Sequence, residues 1–220
     1  MALIILNFHG VGPISRVIEE GEQDWWLDQS AFESLLDAVR ERSQVQLTFD
    51  DGNASDFEIA LPALLRRGMR ATFFLCSGLL DQPGFLSRKQ VRELLSTGMR
   101  IGSHGVAHRS WRKLNPEQLV LELEGSRQAL ETACGSPVDA AACPFGAYDR
   151  HVLSGLRKAG YRFVYTSDGG SATEGQWLQG RTTIKRSTPP ADIQRLILRG
   201  PGAAEQLLIN LRKFLKRFRG

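Results

Sequence analysis

The sequence predicts a single α/β domain whose core is a parallel sheet. Short apolar runs of strand length alternate with longer stretches of helical periodicity, which is the order that β-α units produce. Glycine ends several of the helical stretches, at Gly68, Gly98 and Gly160, as is common at helix ends. No repeat, linker or low-complexity segment divides the 220 residues. Periodicity alone leaves both a barrel and an open sheet possible.

Each apolar run has the length of a buried strand. The candidate strands cover residues 3–8, 45–49, 70–75, 99–102, 140–143, 162–166 and 182–185.

Helix signals fill the stretches between these runs. The predicted helices cover residues 31–41, 56–67, 87–97, 115–132 and 149–159. Ser30 and Asp56 are candidate N-caps of the first two, and Pro116 stands just inside the start of the fourth.

The net charge of +4 arises in the C-terminal segment. Residues 199–220 carry +5, whereas residues 1–198 carry −1. A nucleic-acid-binding domain carries a basic face across its fold. The acidic body therefore argues against nucleic acid as a partner.

Residues 203–220 predict a basic amphipathic helix that follows a globular domain of residues 1–202. Its apolar side comprises Leu207, Leu208, Leu211, Phe214, Leu215 and Phe218, and its basic side comprises Arg212, Lys213, Lys216, Arg217 and Arg219. We expect the apolar stripe to pack on the domain and the basic face to be solvated. A helix that lies on an anionic membrane surface is the alternative.

The sequence favours a cytoplasmic protein, with the inner membrane surface as the place of any peripheral contact. Cys76, Cys134 and Cys143 are an odd number without CxxC spacing, which predicts neither a disulfide framework nor a zinc ribbon. The apolar run at residues 2–8 lacks a basic leader and is too short for a signal peptide.

Histidines and carboxylates follow the candidate strands. His9, Asp50-Asp51 and His104 each come at a strand end, and such ends share one face of a parallel α/β fold. On a helical turn, His104 and His108 would lie on one side and could share a metal ion. Two unrelated surface histidines, and a turn pair before a helix for the two aspartates, are the alternatives.

Three motifs resemble those of the polysaccharide deacetylase superfamily (NodB homology, carbohydrate esterase family 4). They are the segments 48–52 (TFDDG), 103–108 (SHGVAH) and 144–149 (PFGAYD), and the resemblance spans roughly residues 3–185. It implies a distorted (β/α)7 barrel.

The resemblance also implies the roles of individual residues. Asp50 corresponds to the catalytic base, and Asp51, His104 and His108 correspond to the ligands of one divalent metal ion, with Zn²⁺ the first candidate and Ni²⁺, Co²⁺ or Fe²⁺ as alternatives. The backbone N–H of Phe145 corresponds to an oxyanion donor.

The sequence departs from the family pattern at several positions. Gly105 replaces the usual Ser or Thr after the first metal histidine, and Ala142 replaces an arginine that orients the catalytic aspartate. We expect Arg181 to supply that charge. The C-terminal histidine motif is absent. The resemblance is closest to the circularly permuted branch that acts on poly-N-acetylglucosamine, in which His9 would be the general acid.

Five further residues are candidates for substrate binding. They are Pro144, Tyr148, Asp168, Trp111 and Trp177. Core packing is the alternative for the two tryptophans, and a turn before two glycines is the alternative for Asp168.

These features predict a metal-dependent hydrolase that removes the acetyl group of an N-acetylated amino sugar during polysaccharide or glycolipid biosynthesis. A lipid-linked or nucleotide-linked sugar is the expected form of the substrate. Two alternatives stay open. One is another amidohydrolase on the same barrel, acting on a small cyclic amide or a formamide. The other is a catalytically inactive carbohydrate-binding or assembly module.

Overall fold

The computed structural model describes residues 2–218. In that part of the chain, a nine-stranded sheet contains a path of eight parallel strands, and a ninth strand, β9 (Ser171–Thr173), runs antiparallel to the first. Across the sheet, the eight are β10 (Leu178–Gly180), β8 (Phe163–Thr166), β7 (Ala140–Ala142), β6 (Arg100–Ser103), β5 (Ala71–Leu75), β4 (Val45–Asp51), β1 (Ala2–Phe8) and β11 (Thr182–Thr183). Two short strands, β2 (Gly10–Val11) and β3 (Trp26–Leu27), pair separately.

One extended segment closes the sheet into a barrel. Its first half, β10, pairs with β8, and its second half, β11, pairs with β1. Arg181 lies between the two halves. Because the two end strands of the path belong to one segment, the sheet is nearly closed on itself. The distorted barrel that the family resemblance implies is therefore confirmed.

Helices cover the outside of the barrel. They are α1 (Gln29–Val39), α2 (Leu61–Arg66), α3 (Arg88–Ser96), α4 (Pro116–Val120), α5 (Ser126–Cys134), α6 (Arg150–Lys158), α7 (Pro190–Arg199) and α8 (Ala203–Phe218). A π-helical turn, Asp56–Ala60, precedes α2, and a second, Leu121–Gly125, joins α4 to α5. The sequence did not predict α7.

Both predicted N-caps are wrong, although two other residues do cap helices. Ser87 and Asn115 each accept a backbone N–H three residues later, in capping boxes. The expectation for Ser30 is wrong because α1 begins at Gln29, with Asp28 at the N-cap position. Asp56 does not cap its helix either. Its carboxyl group is fully buried inside the first π-turn, and burial raises its pKa well above the ordinary value.

Successive side chains of the barrel strands point alternately to the helix layer outside and to the barrel interior. Phe8, Phe49 and Phe73 point outwards into the layer beneath the helices, where all three are fully buried. The rings of Phe49 and Phe73 stack with centroids 4.7 Å apart. Their strand neighbours Asn7 and Asp50 point into the barrel and meet there, with Asn7 Nδ2 2.9 Å from Asp50 Oδ2. Because successive side chains of a strand point to opposite faces, Asp50 points into the barrel interior.

Helix α8 packs on the barrel, but by the opposite face to the one predicted. Its six large apolar side chains from Leu207 to Phe218 are all more than half exposed, whereas Lys213 and Lys216 turn towards the barrel. The prediction of a docked apolar stripe and a solvated basic face is therefore wrong. Arg219 and Gly220 lie outside the described residues.

Within residues 2–218, no helix combines the length and apolar content that crossing a bilayer would require.

Candidate metal centre and active site

Polar side chains collect at one edge of the barrel. His9 follows β1, Asp50 and Asp51 end β4, and His104 follows β6. The parallel strands all end at this edge, which is where active sites form in barrels of this kind. The predicted convergence of these residues is observed.

Asp51, His104 and His108 form a triangle of possible metal ligands. Asp51 Oδ1 lies 3.6 Å from Nε2 of each histidine, and all three ligand atoms lie within 4.8 Å of one another. Ligands of a tetrahedral zinc ion stand about 3.3 Å apart at usual bond lengths. Within the described chain, Asp51 Oδ1 is buried without a hydrogen-bond partner, a cost that a cation relieves. The three residues therefore fit a divalent metal ion.

The backbone at Asp51 brings the two adjacent carboxylates to one place. Consecutive strand residues normally point to opposite faces of a sheet. Asp51 has a φ of 76°, in the left-handed region, and Gly52 has a φ of 78°. This turn redirects the Asp51 side chain, so that Asp50 Oδ2 and Asp51 Oδ1 lie 3.9 and 3.6 Å from His104 Nε2. Strained backbone of this kind persists where the surroundings enforce it.

The imidazole of His104 is held in the orientation that ligation requires. Its Nδ1 lies 2.9 Å from the carbonyl oxygen of Ala142, so a hydrogen on Nδ1 can donate there and Nε2 faces Asp51 without one. Burial is the main cause that lowers the pKa of His104 to about 4. The ring is therefore neutral at physiological pH, and the neutral ring is the form that binds a metal.

His104 and His108 do not share a helical turn, contrary to our expectation. Residues 104–108 form a loop in which Gly105 has a φ of 85° and His108 a φ of 49°. The loop nevertheless brings the two rings to a centroid distance of 5.0 Å. The spacing in sequence indicated the correct pair for the wrong structural reason.

Side chains from the second π-turn and from the first residue of α5 hold this loop. Glu122 Oε2 accepts the backbone N–H of Val106 at 2.7 Å, and the Ser126 hydroxyl donates to the carbonyl of Gly105 at 2.8 Å. Glu122 is only 3% exposed. A Cβ at position 105 would overlap the Glu122 carboxylate. Gly105, which departs from the family pattern, therefore makes room for a carboxylate that braces the loop.

Asp50 lies deeper in the barrel and is paired with Arg181. Arg181 Nη1 and Nη2 lie 2.7 Å from Asp50 Oδ1 and Oδ2, and Asn7 donates to Oδ2. Burial opposes ionisation of Asp50, but the charge of Arg181 and its hydrogen bonds outweigh burial and hold the pKa well below its ordinary value. Asp50 is therefore an oriented carboxylate at neutral pH.

His9 lies at the edge of the same site. Its imidazole lies near enough to Asp50 to contribute to the lowering of the pKa of that carboxyl. Its ring packs against Trp25 with centroids 5.2 Å apart, and Lys185 Nζ lies 3.9 Å from the centre of the Trp25 ring. The ring nitrogen Nδ1 of His9 is buried without a partner among the described residues.

Phe145 forms the opposite wall. Its side chain is 64% exposed, and its ring lies 4.4 Å from that of His108. Its φ of 58° is in the left-handed region, and its backbone N–H donates to no other described residue. This amide is therefore free to bind a ligand. Pro144, by contrast, is buried beneath the wall.

Several predicted substrate contacts are wrong because the side chains are buried. Trp111 is 0% exposed and belongs to the core beneath α6. Tyr148 is also 0% exposed, and its hydroxyl donates to Asp168 Oδ2 at 2.8 Å. Asp168 also accepts from Thr166 and pairs with Lys216. This carboxylate therefore ties loops together and has no free face for a sugar.

Trp177 is far from the site in the barrel. It immediately precedes β10, so it lies at the amino ends of the parallel strands, whereas the site lies at their carboxyl ends. Its indole N–H donates to Tyr161, and Arg157 stacks 3.9 Å from its ring centre. The prediction that Trp177 binds a sugar at the site is wrong.

Three residues of the site were not predicted from the sequence. Asn7 could have been noticed, because it is a polar residue inside an otherwise apolar strand. Trp25 and Glu122 gave no comparable signal, because they reach the site only through the fold.

The family model described as polysaccharide deacetylase matches residues 37–164 of the chain. YxkH of Bacillus subtilis is 26% identical over 172 residues, which cover 74% of this chain and 62% of YxkH. A chitooligosaccharide deacetylase of Rhizobium leguminosarum is 29% identical over 125 residues, which cover 56% of each protein. The chain thus spans less than two thirds of these relatives.

Two solved structures share the fold over nearly their whole length. Streptococcus pyogenes deacetylase PplD, in complex with acetate, has a TM-score of 0.79 at 21% identity and covers 90% of this chain and 98% of its own. IcaB from Ammonifex degensii has a TM-score of 0.73 at 22% identity and covers 93% and 97%.

We predict that Glu122→Ala weakens Zn²⁺ binding by about 10–100-fold, the usual effect of losing a residue that supports a metal ligand. The loop would lose the acceptor for Val106 N–H, and His108 would lose its fixed position. Isothermal titration calorimetry with Zn²⁺ measures this, with Glu124→Ala as a control from the same turn. Glu122→Gln keeps an acceptor oxygen and should bind nearly as tightly as the parent. Unchanged affinity in Glu122→Ala would contradict the bracing role.

Proposed function

Because the chain belongs to the polysaccharide deacetylase family, we propose that it is a metal-dependent carbohydrate N-deacetylase. The observation that carries this proposal is the triangle of Asp51, His104 and His108 beside a separate carboxylate, Asp50, that Arg181 keeps ionised. A binding module has no evident need for both. The reaction hydrolyses the amide of an N-acetylated amino sugar, releasing acetate and the sugar amine.

Asp51 and the two histidines would hold the metal ion, and their carboxylate and imidazole donors suit Zn²⁺ first, with Ni²⁺, Co²⁺ or Fe²⁺ as alternatives. When bound, such a cation supplies Lewis acidity for the acetyl carbonyl and for a water nucleophile at neutral pH.

Asp50 is the general base in this proposal. Arg181 and Asn7 fix both of its oxygens, and its position 3.9 Å from His104 Nε2 places it beside the ligand triangle. It accepts the proton of the water that attacks the acetyl carbonyl. The Phe145 N–H then stabilises the oxyanion, and such a donor is worth about 3 kcal/mol.

His9 is the general acid in this proposal. Cleavage of an amide needs a proton for the departing nitrogen, because an amine anion is a poor leaving group. His9 immediately follows β1, the strand on one side of β4, whereas His104 and His108 follow β6 on the other side of β4. This placement accords with the permuted branch of the family, in which the histidine comes from the N-terminal strand.

The substrate we propose is an N-acetylated amino sugar in polysaccharide or glycolipid assembly, as a polymer or as a lipid-linked precursor. The relative from Rhizobium leguminosarum is named for activity on chitooligosaccharides, which makes these the first substrates to test. The cytoplasmic location stays a prediction.

Acetate release from N-acetylated chitooligosaccharides and from a lipid-linked N-acetyl sugar tests the proposed function. We expect release that a chelator abolishes and that added Zn²⁺ restores. Release that persists unchanged in chelator would refute the metal requirement. No release from any N-acetylated sugar with any of the four metals would refute the deacetylase itself.

We predict that Asp50→Asn lowers kcat by about 10²–10⁴-fold, the usual contribution of a general base. Metal content should stay at the parent level, because the three ligands are untouched. Asp139→Asn is the matched control, since Asp139 pairs with Arg100 at the opposite end of the strands. Substantial activity in Asp50→Asn would reject the base assignment.

We expect His9→Ala to reduce amide hydrolysis far more than hydrolysis of an activated acetyl ester, whose leaving group needs no proton. Rates on both substrates are compared with those of His151→Ala, which removes an exposed helical histidine. Equal losses on the two substrates would count against the acid role.

A further inference from the structure

Helix α8 presents an apolar face to solvent. Its outward side chains are Leu207 (70% exposed), Leu208 (55%), Leu211 (53%), Phe214 (56%), Leu215 (51%) and Phe218 (67%). At 3.6 residues per turn, these six side chains fall within an arc of about 120°. We call this arc the outer face of α8. Contiguous apolar surface of this kind on a soluble domain marks a binding site.

The side of α8 that faces the barrel, its inner face, makes specific polar contacts with it. Gln206 accepts the backbone N–H of Ser171 at 2.9 Å, and Lys216 pairs with Asp168 and donates to the carbonyl of Gly146 at 3.2 Å. Of the large apolar residues of α8, only Ile209 is buried in the described chain.

Two glycines of the barrel fit this orientation. A Cβ at Gly180 would lie 2.6 Å from Lys213 Nζ, and a Cβ at Gly170 would lie 2.9 Å from Gln206 Oε1. The barrel surface therefore has room for the polar side chains of α8. It also supplies a carboxylate and a carbonyl that bind them. Turning the apolar face inwards would forfeit these contacts.

Arginines border the outer face on both sides. Arg212 and Arg217 are exposed, and helical geometry places one on each side of the apolar arc. The helix residues 203–218 contain four basic residues and a single acidic residue, Glu205. An apolar face between basic borders is the composition of a helix that lies in the interface of an anionic bilayer.

We propose that the outer face of α8 binds an anionic lipid surface, with its leucines and phenylalanines among the acyl chains and Arg212 and Arg217 at the headgroup phosphates. A second copy of the chain fits this face less well, because pairing two such helices brings their arginine borders together. Lys216 links α8 to Gly146, the residue after Phe145, so bound lipid would lie near one wall of the candidate site.

Co-sedimentation of the full chain with sucrose-loaded vesicles tests this proposal independently of any deacetylase activity. The vesicles are phosphatidylcholine with one quarter phosphatidylglycerol, and phosphatidylcholine alone. We expect binding to the anionic vesicles, much weaker binding to the neutral ones, and a loss of binding as salt is raised.

The double variant Leu211→Gln/Phe214→Gln should lower binding to anionic vesicles by roughly tenfold or more. Arg212→Gln/Arg217→Gln should lower it several-fold at low salt and little at high salt. Val120→Gln/Leu121→Gln is the matched control, because it removes two other exposed apolar side chains (52% and 62% exposed) from α4 and the second π-turn. Circular dichroism checks that each variant is folded.

Absence of binding by the parent chain, or binding unaffected by Leu211→Gln/Phe214→Gln, would overturn the proposal. Light scattering of the same samples measures whether a second copy of the chain binds the outer face instead. A dimer that this variant dissociates, together with no vesicle binding, would assign the outer face to a second copy instead.

Discussion

The buried ion pair between Asp50 and Arg181 is the interaction on which the site depends. Two charges removed from water cost several kcal/mol each unless they meet in good geometry. Here Arg181 Nη1 and Nη2 each donate to one oxygen of Asp50 at 2.7 Å. Arg181 stands where the last barrel segment passes from β8 to β1. The segment that closes the barrel therefore also supplies the arginine that orients the carboxylate, so fold and chemistry share one constraint.

The ligand triangle depends on backbone that is unfavourable by itself. Asp51 and His108 both have positive φ values, as does Phe145 in the opposite wall. Each such residue costs of order 1–3 kcal/mol and persists only where neighbours enforce it. Glu122 and Ser126 do so for the loop before His108. A departure from the family pattern, Gly105, is the space that Glu122 needs, so the two positions form one unit.

Helix α8 connects the site to the surface of the molecule. Lys216 joins the Asp168 carboxylate, which also binds Tyr148 and Thr166, to the Gly146 carbonyl beside Phe145. Residues that resembled sugar contacts in the sequence are therefore supports between the helix and the wall of the site. This use of polar contacts leaves the apolar side of α8 facing outwards.

The sequence by itself determined the succession of strands and helices up to residue 185, the barrel through its family motifs, and the grouping of Asp50, Asp51, His104 and His108. Each of these depends on the local order and spacing of residues. It could not reveal that Asn7, Trp25 and Glu122 belong to the site, since contacts between distant segments leave no local pattern. It also misassigned the docked face of α8. Amphipathic periodicity shows which side chains share a face, but only the tertiary structure decides which surface that face meets. Here the barrel presents one carbonyl, one carboxylate and two glycines to the polar side of α8.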